Sequence, residues 1–113
     1  MLCRFVLEGL GLGSYRRRLD IIADILFVAR QRPRKTQIMY QANLSYKLLT
    51  KYLLYVRKAS LLRFERKDGC YMLTEKGVEF LERYKEYARR NRHVERQISE
   101  VYGERKVLED LCS

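Results

Sequence analysis

A chain of 113 residues that is 47% hydrophobic and 34% charged has the composition of one ordinary globular domain with an appendage, not of a disordered polyampholyte. One proline and six glycines exclude collagen-like and linker-rich architectures, and no uncharged apolar run approaches the ~20 residues that a bilayer span requires. Arg4 and Glu8 interrupt the first ten residues before any apolar run reaches the ~7 of a secretory h-region, so the expectation is a soluble, cytoplasmic protein.

Twenty-four Lys and Arg stand against fourteen Asp and Glu, a net charge of +10. The excess is segregated. Residues 1–14 carry only Arg4 and Glu8, and residues 75–113 carry nine charges of each sign. Residues 15–74 hold fourteen cations against Asp20, Asp24, Glu65 and Asp68, and so account for the whole excess. A block with that field suits a polyanion. Cys3, Cys70 and Cys112 are far apart, and His93 is the only histidine, so the spacing excludes a zinc finger. No Ser-His-acid set, G-x-x-x-x-G-K or helix-opening G-x-G-x-x-G is present. An enzyme is therefore not expected, nor a metal or cofactor. Gly9, Gly11 and Gly13 read as part of a flexible N-terminal arm over 1–14.

Past the arm, Arg16 to Arg32 reads as a helix. Leu19, Ile22, Ile25, Leu26 and Ala29 make one face, while Ile21, Phe27 and Val28 outside it imply burial on more than one side. Pro33 stops it, and Arg30, Arg32, Arg34 and Lys35 crowd the stop. Thr36 can cap a short helix through about Gln41, with Ile38 and Met39 inward and Asn43 at its left-handed end. Ser45 is the N-cap of a third helix, Tyr46 to about Ala59, with Leu49, Leu53 and Val56 inward and Leu48 and Tyr52 at the margins. Its outer side carries Tyr46, Lys47, Thr50, Lys51 and Leu54. That pairing of helices is a helix-turn-helix.

The period then changes from 3.6 to 2. Leu62 to Arg66 alternates apolar and charged, Lys67-Asp68-Gly69 is a turn, and Cys70 to Leu73 returns. Three helices and a charged hairpin define a mainly α fold with a small β-hairpin, a winged helix-turn-helix over 15–74, with Arg63, Arg66 and Lys67 arming the wing. Thr74 caps the last element. From Glu75 to Tyr102, Val78, Leu81, Tyr84, Ala88 and Asn91 form a heptad-like stripe that slips by one residue before Val94, Ile98 and Val101. Roughly 28 residues of helix, ~42 Å, is too long to pack wholly on a small domain. Gly103 is the expected end or kink.

The run Thr36-Gln37-Ile38-Met39-Tyr40-Gln41-Ala42-Asn43-Leu44-Ser45-Tyr46, with Tyr52-Leu53 and Tyr71-Met72-Leu73-Thr74-Glu75-Lys76-Gly77, resembles the archaeal small basic winged-helix proteins. That family includes the ten-kilodalton-a chromatin proteins of Sulfolobus. The resemblance spans about residues 16–100. It implies a double-stranded DNA-binding protein, nucleoid-associated, and a homodimer joined by an antiparallel coiled coil of C-terminal helices over 75–113. It carries DNA contact onto Ser45, Tyr46, Lys47, Thr50 and Lys51 and onto Arg66 and Lys67 of the wing; Arg34, Lys35 and Arg63 are expected to join them. The dimer residues would be Leu81, Tyr84, Ala88, Asn91, Val94, Ile98 and Val101. Ala59-Ser60 stands where winged helices often have a glycine.

Two function classes follow. One is duplex DNA binding, as a transcription regulator or an architectural chromatin protein. The other is a winged-helix scaffold whose basic face docks an acidic partner. Tyr40, Tyr46, Tyr52 and Tyr55 also have the look of a stacking platform for single strands. Tyr40 and Tyr52 read as core-margin residues, while Tyr46 and Tyr55 remain open to either role.

Overall fold

The computed structural model describes residues 17–113; the expected arm over 1–14, and Cys3 with it, lies outside them. In chain order the elements are α1 (Arg18–Ala29), α2 (Lys35–Gln41), α3 (Tyr46–Lys58), β1 (Leu62–Glu65), β2 (Cys70–Leu73) and α4 (Glu75–Leu111). Residues Arg17–Tyr84 form one compact unit, and Lys85–Ser113 belongs to a second.

The core of the first unit forms where the helical stripes converge. Ile22, Ile25, Leu26 and Ala29 of α1 meet Ile38 of α2 and Leu49, Leu53 and Val56 of α3, and Leu62 and Tyr71 close it from the hairpin. Ile21 and Val28 are buried too, so α1 does bury more than one side. Leu19 and Phe27 are the exceptions, both exposed. The hairpin pairs antiparallel, Leu62 opposite Leu73 and Glu65 opposite Cys70. Its turn is a four-residue loop, 66–69, in which the Gly69 N–H donates to the Glu65 carbonyl at 2.8 Å and Gly69 alone takes positive φ. The outer side of β2 is also held, because the Tyr71 N–H donates to the Pro33 carbonyl at 2.9 Å.

The helix ends explain most of the connectivity. Helix α2 begins two residues earlier than Thr36 capping implied, with Arg34 as its N-cap, because the Gln37 side chain reaches back to accept from the Arg34 N–H at 2.8 Å. It ends at Asn43, φ +54, with the Leu44 N–H donating to the Met39 carbonyl, a six-to-one closure. Ser45 caps α3 as expected, its Oγ accepting from the Leu48 N–H at 3.2 Å. Helix α3 closes in the same way as α2: the Leu61 N–H donates to the Val56 carbonyl, and Ser60 sits at φ +63. An L-residue with a Cβ pays roughly 1–2 kcal/mol for that conformation. Ser60→Gly is therefore expected to raise stability by about 1 kcal/mol after the entropic cost of glycine, read as a melting temperature a few degrees higher. An unchanged or lower value would show that the turn is not strained.

Thr74 joins the wing to α4. Its hydroxyl donates toward the Ser60 and Leu61 carbonyls, at 2.6 and 3.1 Å, and accepts from the Gly77 N–H at 3.0 Å. The Lys76 ammonium donates to the Ala59 carbonyl at 2.8 Å, at the C-terminal end of α3. Gly77 is required by space: a Cβ there would stand 2.4 Å from the Leu61 carbonyl oxygen.

Helix α4 differs from expectation. It runs unbroken for 37 residues, passing through Gly103. One exposed glycine costs a helix only about 1 kcal/mol, and its neighbours are good helix formers, with Arg105 bonded to Glu109 at 2.9 Å one turn on. The even charge of this helix is arranged as intrahelical pairs, including Arg83 with Glu79 and both Arg89 and Arg90 with Glu86. The last two hold the Glu86 carboxyl down at about 2, chiefly through their hydrogen bonds to it.

Candidate nucleic-acid interface

Helix α3 divides cleanly. Leu49, Leu53 and Val56 are buried, while Tyr46, Lys47, Thr50, Lys51 and Leu54 are exposed. Ser45 remains useful after capping, since an acceptor role for its Oγ leaves the hydroxyl proton free to donate outward. Thr50 is different. Its hydroxyl donates to the Tyr46 carbonyl at 2.8 Å, so toward a ligand it offers its methyl group and lone pairs and no free donor. Leu54 is 56% exposed near the middle of this face.

These faces predict separable effects. Leu53→Ala is expected to destabilise by about 2–5 kcal/mol through the cavity it leaves. Lys51→Ala, on the opposite side, should leave the melting temperature within error of the parent. Equal losses from the two substitutions would show the faces to be misassigned.

The cations gather from four places. Arg34 is the exposed N-cap of α2. Lys35, half-buried, lays its Nζ 4.1 Å from the centroid of the Tyr46 ring. On α1 the Arg18 guanidinium lies 4.1 Å from the centroid of Tyr55, an arrangement between remote segments that no local pattern announces. In the hairpin, Arg66 and Lys67 are exposed in the loop, whereas Arg63 is on β1 and donates across the strands to Met72 Sδ at 3.6 Å. The stacking platform does not form as such: a cation covers one face of both Tyr46 and Tyr55. Tyr52 packs at the core margin as expected, but Tyr40 is 78% exposed and is no margin residue.

Helix α4 carries a second surface. Leu81 packs on the winged-helix core, and the Tyr84 hydroxyl donates to Asp20 Oδ1, so both are engaged within the protomer. Ala88 is buried, whereas Tyr87 beside it is exposed. With Tyr87 in place of Ala88, the steps through Asn91, Val94, Ile98, Val101, Arg105 and Leu108 alternate four and three with no slip. The irregular spacing then falls upstream, where Val78, Leu81, Tyr84 and Tyr87 are each three apart. Val94, Ile98 and Val101 along this seam are 50%, 54% and 65% exposed.

Three layered helices, a turn closed by Asn43 and a two-stranded wing are the marks of a winged helix-turn-helix, and the model of that family matches residues 15–92. The chain belongs to the winged helix-turn-helix family. Its fold is similar to that of Sso10a-2, a DNA-binding protein from Sulfolobus solfataricus, with a TM-score of 0.63 and 22% identity over 87% of this chain and 98% of that one. The resemblance seen in the sequence therefore extends to three dimensions. An uncharacterised protein of Methanocaldococcus jannaschii is 37% identical over 75 residues, 66% of this chain. The chain spans about a third, 35%, of that relative's length.

Proposed function

We propose that the protein binds double-stranded DNA without catalysing a reaction, as a homodimer, placing α3 in the major groove and the wing on the phosphate backbone. The observation that carries this reading is the coincidence of charge and fold. All of the net +10 belongs to residues 15–74, and in a winged helix those residues supply the recognition helix and the wing. Lys47 and Lys51 are the base- and phosphate-reaching cations of α3, with Ser45, Tyr46 and Thr50 beside them; exposed Leu54 offers apolar contact to thymine methyl groups. Arg34, Lys35, Arg63, Arg66 and Lys67 add phosphate contacts. The likeness to a DNA-binding protein of Sulfolobus supports the same reading.

The α4 seam of Tyr87, Val94, Ile98, Val101 and Leu108 is the proposed dimer contact, with Asn91 fixing register. No helix of the described residues is long and apolar enough to cross a membrane, so this seam does not serve that purpose. Footprinting on genomic fragments tests the reading and separates its two forms. A transcription regulator protects one operator, and an architectural chromatin protein gives uniform coverage. Absence of protection at any concentration that saturates a control binder would refute duplex binding and favour the protein-docking scaffold.

A further inference from the structure

Tyr46 and Tyr55 are nine residues apart on α3, which is about two and a half turns and about 13 Å along the axis. The half turn puts them on opposite edges of the exposed face, with Lys47, Lys51 and Leu54 between them and the buried Leu49, Leu53 and Val56 behind. Each ring carries a cation delivered by a different helix, Lys35 from α2 on one edge and Arg18 from α1 on the other, both 4.1 Å from the ring centroid. On the Arg18 edge, Lys51 and Lys58 line the same recess as Arg18 and Tyr55. A cation seated on an aromatic face gives up rotamer freedom before a ligand arrives and keeps N–H donors turned to the rim. The major groove of B-DNA is about 12 Å wide and is bounded by one phosphate backbone on each side.

We infer that Lys35 and Arg18 are two pre-positioned phosphate clamps that grip opposite strands at the two edges of the groove entered by α3, and that Tyr46 and Tyr55 are the positioning residues that hold them. This rests on the duplex-binding reading and adds Arg18, Tyr55 and Lys58 to its surface. The α3 face then reads base edges while its register in the groove is set from both sides. The two rings act on affinity through the cations they seat, not by stacking on bases.

The test is a salt series of duplex binding by fluorescence anisotropy, with the full chain and the variants Arg18→Gln, Lys35→Gln, Tyr55→Leu and Tyr55→Phe. Each Gln variant keeps the aliphatic stem and loses one phosphate contact, so the log–log slope should become shallower by about 0.9 per protomer. Tyr55→Leu should keep the slope and weaken binding about two- to five-fold, and Tyr55→Phe should restore parental affinity, because the ring and not the hydroxyl seats Arg18. Slopes unmoved in both Gln variants, with the parent still binding, overturn the clamps while leaving duplex binding intact. A parent that binds no duplex overturns both. Tyr55→Phe as weak as Tyr55→Leu overturns the positioning role, since it makes the hydroxyl the contact. Affinity losses that merely track losses of melting temperature, slopes unchanged, reduce the pairs to fold-stabilising contacts and overturn the inference as well.

Discussion

Raising salt from about 50 to 200 mM is expected to weaken duplex binding by ~10³–10⁵, provided a dimer neutralises ~6–10 phosphates. The number follows from the surface. Each winged helix presents Lys47 and Lys51 on α3, Arg34 and Lys35 at the start of α2, and Arg66 and Lys67 on the wing loop, so two protomers supply enough cations for that count. None of these six is in an ion pair among the described residues, whereas on α4 arginines at 83, 89, 90 and 105 are paired with glutamates of their own helix. Counterion release therefore comes from these cations together with Arg18 of α1, and the neutral α4 contributes little to the salt response. A measured log–log slope shallower than about −2 would sink the phosphate-dominated mode.

Placing Glu at both Val94 and Ile98 is expected to give a folded monomer whose duplex affinity falls by about 10²–10⁴, the avidity gained when two modules are joined. Both residues are half exposed along the seam, in a unit separate from the winged-helix core. The substitutions should therefore leave the cooperative melt of Arg17–Tyr84 in place. Burying two glutamates per chain in a coiled-coil seam costs far more than the exposed valine and isoleucine gain. The neutral charge of residues 75–113 makes this the place where two chains of +10 can approach. Sedimentation of the parent as a monomer at tens of micromolar would refute the dimer. Full duplex affinity in the double-Glu variant would show that dimerisation does not serve binding. Direction is tested with exposed Cys112, in a Cys3→Ser background. Antiparallel helices keep the two Cys112 thiols at opposite ends, so mild oxidation leaves the chains unlinked; a Cys112-linked dimer would mark a parallel coil.

The helix-turn-helix and wing are legible in the sequence because their signals are local. Ser45 and Thr74 announce caps, Asn43 announces a left-handed closure, and the change from a 3.6 to a 2 period marks the hairpin. The buried face of α3 is legible for the same reason. What escaped depends on tertiary context or on weak local penalties. The helix-breaking signal of Gly103 was too small to stop α4. Leu19 and Phe27 are apolar at positions where nothing within the compact unit covers them fully. The regular four-three seam that starts at Tyr87 is visible only once burial distinguishes Tyr87 from Ala88. Within the candidate interface, the outward placement of the α3 and wing residues is legible from pattern and their expected role from the family resemblance, but the seating of Lys35 on Tyr46 and Arg18 on Tyr55 joins segments from different helices. The donation of the Thr50 hydroxyl to its own helix is likewise invisible until the side chain is placed.

The joint between α3, the wing and α4 is made on one side by side chains, those of Thr74 and Lys76 with the bare Gly77, and on the other by the main-chain carbonyls of Ala59, Ser60 and Leu61. A carbonyl is the same whichever residue bears it. Mutational tolerance at this joint should accordingly be lopsided: residue 59 can drift, and residue 60 can vary among those that tolerate its positive φ, glycine first, while Thr74 and Gly77 cannot. Homologues of this protein are better sought by the threonine-to-glycine half of the joint than by the turn it grips.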